Sequence, residues 1–410
     1  MDIGALGVYV CLFLALYFEV FLLISFFEKK PHKKTASLPA SYPTVTIAVP
    51  AYNEEKTILA TLESLMALEY PKDKLDIMVI DDGSRDRTRE IAQHFAATHP
   101  QVSYHYKENG GKYTALNFAI EHSTAELIGC LDADSFASPD ALIEVVKSFE
   151  ANPDAMALMP VMKVHHPKSV LELMQSVEYT FGVFYRKMID NVGALHVLPG
   201  PFSFYRRKVF SIIGPFRHAH NTEDMEIAFR MHKHGLRIIN AHTAYVYTTV
   251  PKTVKKLLVQ RVRWSQGFLQ NSIDYAYMYF NPKFGNFGML TLPFGLLAFF
   301  LGVYTALYSL YTASSSAVTT ALDLWATGVP LRMPSFRLEW FYLDTSMLSF
   351  IILISLGFMI AAIILGQRIG GNRVTIKALI SYFVLFGLIA PVWLLQASWG
   401  TIRAREANWR

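Results

Sequence analysis

Charged residues are scarce in this chain of 410 residues: Asp, Glu, Lys and Arg make up 17% of it, against about 25% in an ordinary soluble domain. Cysteine is almost absent. Cys11 lies in an apolar stretch and Cys130 in a strand pattern. Two such thiols exclude a disulfide framework and read as small, inert hydrophobes. No G-x-G-x-x-G follows the first strand pattern, which argues against a nicotinamide dehydrogenase. The histidines, among them His165, His166, His218, His220, His232 and His234, lack compact spacing with a third zinc ligand and read as surface or packing residues. Neither sign of charge dominates: 38 Lys and Arg against 33 Asp and Glu leave +5. That excess is too weak for a nucleic-acid partner and suits a membrane surface or an anionic substrate.

Apolar side chains are abundant, at 52% of the residues. Four stretches, Leu6–Phe27, Met289–Thr312, Ser346–Gly366 and Ala378–Trp399, reach the roughly 20 residues that span a bilayer. The first has no small-residue cleavage site and reads as a retained anchor. It carries one charge, Glu19, which is either functional or turned toward a helix neighbour or a water-filled groove. Lys29, Lys30, Lys33 and Lys34 follow it, which assigns the region from about Pro31 to Gly288 to the cytoplasm. Arg368, Arg373 and Lys377 fall on the same side. The tail Thr401–Arg410, with three Arg and one Glu, would fall outside, against the rule, unless one span is interfacial. The expectation is a multi-pass protein of the plasma (inner) membrane: an anchor over 1–30, a cytoplasmic domain over 31–285, and about three spans within 286–410.

Between the anchor and the later spans, strand and helix patterns alternate. Thr44–Pro50, Leu75–Ile80, Val102–Tyr106 and Leu127–Leu131 read as strands; Glu54–Leu68, Asp86–Ala97, Lys112–His122 and Pro139–Glu150 read as helices. This order implies an α/β fold with a doubly wound, mostly parallel sheet. Ligands of such sheets sit beyond the strand C-termini, where Asn53-Glu54, Asp81-Asp82 and Asp132-Ala133-Asp134 fall. Ser169–Ile189 and Thr253–Phe280 are amphipathic and read as interfacial helices near 168–190 and 253–280, or as helices packed in the core. No internal repeat is evident.

Asp132 and Asp134, two residues apart after a strand, can share one hard cation, Mg2+ or Mn2+, with substrate phosphates. Asp81-Asp82-Gly83-Ser84 is either a capped turn or a carboxylate pair that accepts a base or ribose donor. Lys112, after Asn109-Gly110-Gly111 and at a helix start, is either a solvated lysine or a diphosphate counter-charge. Thr222-Glu223-Asp224 opens a helix over Thr222–His234, with Thr222 suited to the N-cap; alternatively Asp224 is a general base. Gln260-Arg261-Val262-Arg263-Trp264 reads as a basic amphipathic face, or as two guanidinium groups for a diphosphate beside an indole that stacks on a sugar.

Taken in this order and flanked by apolar spans, the motifs resemble the processive family-2 glycosyltransferases, which synthesise cellulose, chitin, hyaluronan and poly-β-1,6-N-acetylglucosamine. The likeness covers roughly Thr44–Gln270. It implies a GT-A type sheet domain with transmembrane and interfacial helices, inversion at the anomeric carbon, and a UDP-sugar donor. Asp81 and Asp82 would hold the uridine. Asp132 and Asp134 would hold the diphosphate, with Asp134 closest to the metal. Asp224, with Glu223, would be catalytic. Gln260, Arg261, Arg263 and Trp264 would bracket the acceptor end and the diphosphate. Pro50, Ala51, Tyr52 and Glu54 resemble the family's nucleotide loop, Lys112 its diphosphate lysine, and Pro199-Gly200-Pro201-Phe202 a loop near the acceptor sugar. The Thr-Glu-Asp form and the short length favour the poly-N-acetylglucosamine synthases, hence UDP-N-acetylglucosamine as donor. Arg373-Val374-Thr375-x-Lys377 resembles the gating loop of cellulose synthases but lacks its leading aromatic and following glycine. Implied partners are a UDP-sugar, a growing polysaccharide, membrane lipid and an auxiliary membrane or periplasmic subunit. Two other readings stay open: a non-processive transferase acting on a lipid acceptor, and a catalytically silent membrane scaffold.

Overall fold

A computed structural model of the chain describes residues 3–28, 38–328 and 347–403. Lys29, Lys30, Lys33, Lys34, Ser346 and the tail beyond Arg403 lie outside the described residues. In chain order the elements are α1 (Ile3–Glu28), β1 (Val45–Ala51), α2 (Ile58–Met66), β2 (Leu75–Asp81), α3 (Thr88–Thr98), β3 (Val102–Tyr106), α4 (Lys112–His122), β4 (Leu127–Cys130), β5 (Ser135–Ala137) and α5 (Ala141–Ala151). They continue with β6 (Ala155–Val164), α6 (Val170–Asn191), β7 (Ser203–Arg206), α7 (Lys208–Ile213), α8 (Glu223–Lys233), β8 (Arg237–Thr248), α9 (Val254–Asp274), α10 (Leu292–Thr327), α11 (Met347–Gly370) and α12 (Ile376–Ile402).

The eight strands form one sheet in the order β3-β2-β1-β4-β7-β6-β8-β5. β1 pairs in parallel with β2 and β4, β2 with β3, and β6 with β8. β7 runs antiparallel to both β4 and β6, and β5 antiparallel to β8. The sheet is thus parallel-dominant but mixed, a departure from the plain βαβ succession. Its second half escapes the periodicity argument because β6 carries Pro160 and is irregular there, while β5 and β7 are only 3 and 4 residues long.

β1 and β4 are buried on both faces, as helix-covered parallel strands are. One side of the sheet packs Ile47, Val49, Ile77 and Val79 against α2, α3 and α5, through Leu62, Leu65, Phe95 and Val145. The other side packs Ala48, Ile80, Ile128 and Tyr205 against α4, α6 and α8. From β1 the chain moves outward to β2 and β3, then returns to place β4 on the other flank of β1. The crevice beyond β1 and β4 is therefore the topological switch point, where open α/β sheets bind ligands.

α6 begins at a capping box: the Ser169 hydroxyl accepts from the Glu172 N–H, and the Glu172 carboxylate accepts from the Ser169 N–H. α9 ends at Asp274, six residues short of the expected limit, and short turns continue to Phe284. α10 runs to Thr327, beyond the expected Thr312, because no breaker appears before Gly328 in the left-handed region. α1, α10, α11 and α12 are long and apolar enough to cross a membrane. Glu19 on α1 keeps one carboxylate oxygen buried without a hydrogen-bond partner among the described residues.

Candidate active site

The strand register brings the acidic loops together. Ala51, which ends β1, lies beside Asp81, which ends β2. The chain then crosses back: the Asp82 N–H donates to Ala51 O (2.9 Å) and the Leu131 N–H to Ala48 O (2.9 Å). The loop after β1 is knitted to the loop after β2, with Asn53 Oδ1 accepting from the Arg85 N–H (2.8 Å) and the Glu54 N–H donating to Thr88 Oγ1 (2.7 Å). Pro50, Ala51, Tyr52 and Glu54 thus form one edge of the crevice with Asp81 and Asp82.

Asp81 is fully buried, and its carboxylate accepts from Tyr104 Oη (2.8 Å) and from the Ser84 N–H (2.8 Å). Asp82 accepts from Lys107 Nζ (2.5 Å) and from the N–H groups of Gly110 (3.0 Å) and Gly111 (2.9 Å). Asp82 therefore organises the turn that leads into α4, where Gly111 has φ +89°, a conformation costly for any residue with a Cβ. Both the turn reading and the pocket reading of Asp81-Asp82-Gly83-Ser84 fit this geometry, since the pair shapes the wall it stands in.

Lys112, the first residue of α4, is the electrostatic hub. Its ammonium pairs with Asp132 and lies 3.7 Å from Glu223 Oε1. Burial alone would lower its pKa, but Asp132 and Glu223 outweigh that and hold it above the usual lysine value. Gly200 closes over this pair. A Cβ there would collide with Lys112 Nζ and the Asp132 carboxylate, so any larger residue would have to displace this ion pair. Beneath it the Cys130 thiol donates to Gly200 O (3.1 Å); burial pushes that thiol up to about 12, which leaves it unreactive.

Asp134 accepts from Thr249 Oγ1 (3.1 Å) and Ser135 Oγ (3.2 Å). Burial, then Asp132 and Glu54, push its carboxyl up to about 6. A carboxyl whose ionisation is opposed by burial and by acidic neighbours, as that of Asp134 is, is the donor chemistry that a hard divalent cation relieves. Among the described residues no three His, Cys, Asp or Glu side chains gather as a complete metal cage. The pair Asp132 and Asp134 fits an ion that takes one or two carboxylates and completes its shell with water and phosphate oxygens.

Glu223 and Asp224 open α8 on the far side of Lys112. Burial and Glu223 push the Asp224 carboxyl up to about 6, while Lys112 and Arg263 hold it down and Asp132 adds to the rise. One field thus links Asp132, Lys112, Glu223, Asp224 and Arg263. Thr222 sits at the N-cap, but its hydroxyl makes no capping bond. It donates to Ala219 O (3.0 Å) and accepts from Asn271 Nδ2 of α9 (2.9 Å). Three consecutive residues before it, Ala219, His220 and Asn221, have φ of 44°, 54° and 59°. Such backbone strain persists only where its surroundings hold it. Here the holders include Arg263 Nη1, which donates to Asn221 O (2.8 Å), and the close approach of Gly267 to Thr222.

α9 lies across this segment. Arg261 is buried, and its guanidinium is bound to Glu178 of α6 (2.8 Å) and Gln260 Oε1 (3.2 Å), with Cζ 4.3 Å from the Trp264 ring centre. Of this motif, Arg263 reaches the segment that precedes Glu223 and Asp224, whereas Arg261, two residues earlier on α9, is engaged by Glu178 with Gln260 and Trp264 against it. Sequence reasoning missed Glu178, Lys107, Thr249 and Asn271, which hold Arg261, Asp82, Asp134 and Thr222. Nothing local marks them, because each acts on a residue between 25 and 115 positions away.

The family model for glycosyl transferase family 2 matches residues 46–214. Poly-beta-1,6-N-acetyl-D-glucosamine synthase of Staphylococcus epidermidis is 30% identical over 261 residues, 62% of this chain and 63% of that protein. The Staphylococcus aureus (strain COL) protein of the same name is 30% identical over 224 residues, 54% of each chain. The chain thus matches less than two thirds of the length of these curated relatives. Among solved structures, the mannosyltransferase PcManGT from Pyrobaculum calidifontis in complex with GDP-Man and Mn2+ superposes with a TM-score of 0.66 at 20% identity, over 98% of this chain and 99% of that one. At that identity the likeness is one of fold. Residues 46–214, with parallel strands that end in paired carboxylates, therefore make up a glycosyl transferase family 2 domain, carried by a chain with four helices apolar and long enough to cross a membrane.

Proposed function

We propose that this protein is an inverting, membrane-embedded glycosyltransferase. It takes a sugar from a UDP-sugar, UDP-N-acetylglucosamine, and adds it to the end of a growing β-linked polysaccharide that it helps move across the membrane. The domain works on the cytoplasmic face. The observation that carries the reading is the convergence of Asp132, Glu223 and Asp224, from two distant loops, around Lys112 at the switch point of the sheet, with Asp134 beside Asp132.

In this reading the uridine lies along Tyr52, Glu54, Asp81 and Asp82. Asp132 and Asp134 would hold Mg2+ or Mn2+, which would supply positive charge to the diphosphate. Asp224 accepts the proton of the acceptor hydroxyl while that oxygen bonds to the anomeric carbon. The bond to the diphosphate breaks on the opposite face, its electron pair leaves with UDP, and the configuration inverts. Lys112 and Arg263 supply fixed positive charge to the departing group and keep Asp224 ionised. Glu223 orients the Lys112 ammonium. Trp264 offers a flat face to the acceptor sugar, and Arg261, pinned by Glu178, holds that indole in place.

One observation favours a second reading, transfer to a lipid acceptor. A cavity of about 490 Å³ opens between α9, α10 and α12, lined by Leu269, Ile273, Leu296, Phe299, Phe300 and Ile402. It lies within two turns of Trp264 along α9, and its lining suits a hydrocarbon chain.

The test is a screen of UDP-sugars on the purified chain in lipid with divalent metal, followed by mass analysis of products. A ladder of long products from UDP-N-acetylglucosamine supports the first reading. A single addition to lipid moves the assignment to the second, and absence of turnover with every donor leaves the silent scaffold.

A further inference from the structure

Three of the four long apolar helices leave the sheet domain at one end. α1 and α10 run antiparallel, with Phe18 stacked on Phe294 (4.8 Å) near the domain and Tyr304 Oη donating to Gly4 O (2.8 Å) farther out. Beyond that point Leu310, Val318, Leu322 and Trp325 of α10 are exposed. α11 starts with exposed Met347, Phe350 and Leu353. It reaches the domain through its last turns, where Gly366 abuts Thr180 and Ile369 O accepts from Tyr245 Oη (3.5 Å).

α12 behaves differently. It packs along α6 and α9, and not lengthwise on α11, its neighbour in the chain. At its start Ala378 and Tyr382 share a buried cluster with Leu171, Met174 and Val177 of α6 and Leu257 of α9. At its end Ala397 clusters with Leu269 of α9, and a Cβ on Gly400 would stand 2.9 Å from Gln266 Oε1. A helix of 27 residues is about 40 Å long, and a crossing helix must separate its ends by roughly 30 Å along the membrane normal. Both ends of α12 instead rest on the same α6–α9 layer.

The outer face carries a stripe at four-residue spacing: Ile376, Ile380, Val384, Leu388 and Val392 are exposed, followed by Trp399 and Ile402. Both ends are basic. Arg373 and Lys377 stand at the start; Arg403 caps the end, 4.3 Å above the Trp399 ring. We infer that α12 lies in the membrane plane, its stripe among the acyl chains of the leaflet next to the sheet domain and its basic ends among the headgroups. Among the described helices α1, α10 and α11 then cross the membrane, and Arg403 stays on the side of the sheet domain. This also removes the conflict between a basic tail and the positive-inside rule. The inference is independent of the proposed chemistry.

Single cysteines decide it, because the native Cys11 and Cys130 are both buried and the parent chain serves as blank. Arg87→Cys marks the sheet domain, Trp325→Cys the far end of α10, and Arg403→Cys the end of α12. In sealed vesicles of known orientation, treated with a membrane-impermeant maleimide and normalised to labelling in detergent, Arg403→Cys is expected to label together with Arg87→Cys and opposite to Trp325→Cys. Labelling together with Trp325→Cys overturns the inference. Spin labels at Ile376→Cys, Leu388→Cys and Ile402→Cys give a second measurement. An in-plane helix places all three at one shallow depth, whereas a crossing helix buries the middle label about 15 Å deeper than the others, and that result overturns the in-plane placement.

Discussion

The Lys112 ammonium is shared between Asp132, which follows β4, and Glu223, whose Oε1 lies 3.7 Å away at the start of α8. One cation thus couples the loop assigned to the diphosphate and the loop assigned to proton transfer. Removing it leaves Asp132 and Glu223 without their common cation and Asp224 with Arg263 as its remaining counter-charge.

Lys112→Met should lower turnover at least a hundredfold, or about 2.7 kcal/mol, because charge at the leaving group is lost and Asp224 is less readily ionised. Burial and Glu223 already hold Asp224 at about 6. Turnover should therefore fall as pH drops through about 6, and in Lys112→Met this acidic limb should move to higher pH. The pH profile of kcat/KM checks both; an unmoved limb would remove Asp224 from the role of base.

Asp134 and Asp224 both have folded values raised above the ordinary carboxylate value. Protonation therefore stabilises the fold. That contribution is complete below the unfolded value near 4 and is lost as pH rises through about 6. Asp134→Asn mimics the protonated form. Without nucleotide or metal at pH 7.5 it should gain stability on the order of 1 kcal/mol, while Mn2+ with UDP should no longer raise its Tm. Thermal unfolding with and without Mn2+ and UDP reads both effects.

Gly200→Ala places a methyl against Lys112 Nζ and the Asp132 carboxylate. Overpacking of this kind costs about 1–3 kcal/mol, and the ion pair must shift to admit it. Turnover should fall at least tenfold with the far-UV circular dichroism unchanged. Retention of full activity would show that the Lys112–Asp132 geometry is not needed for transfer.

Arg261→Ala removes both the bond to Glu178 and the guanidinium stacked on Trp264. A double-mutant cycle with Glu178→Gln should give a coupling on the order of 1 kcal/mol in stability. If Trp264 meets the acceptor, Arg261→Ala should raise the acceptor KM more than the donor KM. Equal effects on both would place Arg261 with the diphosphate instead.

The acidic motifs and the apolar runs were legible because each is a local property. Asp81-Asp82, Asp132-x-Asp134 and Thr222-Glu223-Asp224 follow strands or open helices, and a span shows itself by twenty uncharged residues. The alternation of strand and helix also fixed the parallel half of the sheet, from β1 to β4. Tertiary structure alone decided the rest. It put β7 antiparallel between β4 and β6, gave Arg261 to Glu178, made Lys112 the common partner of Asp132 and Glu223, and laid both ends of α12 on α6 and α9. Hydrophobic periodicity reports whether a segment buries a face, not what covers it. An apolar face is satisfied equally by lipid or by another helix, and a charge by whichever opposite charge the fold delivers; the chain carries no local mark of either partner.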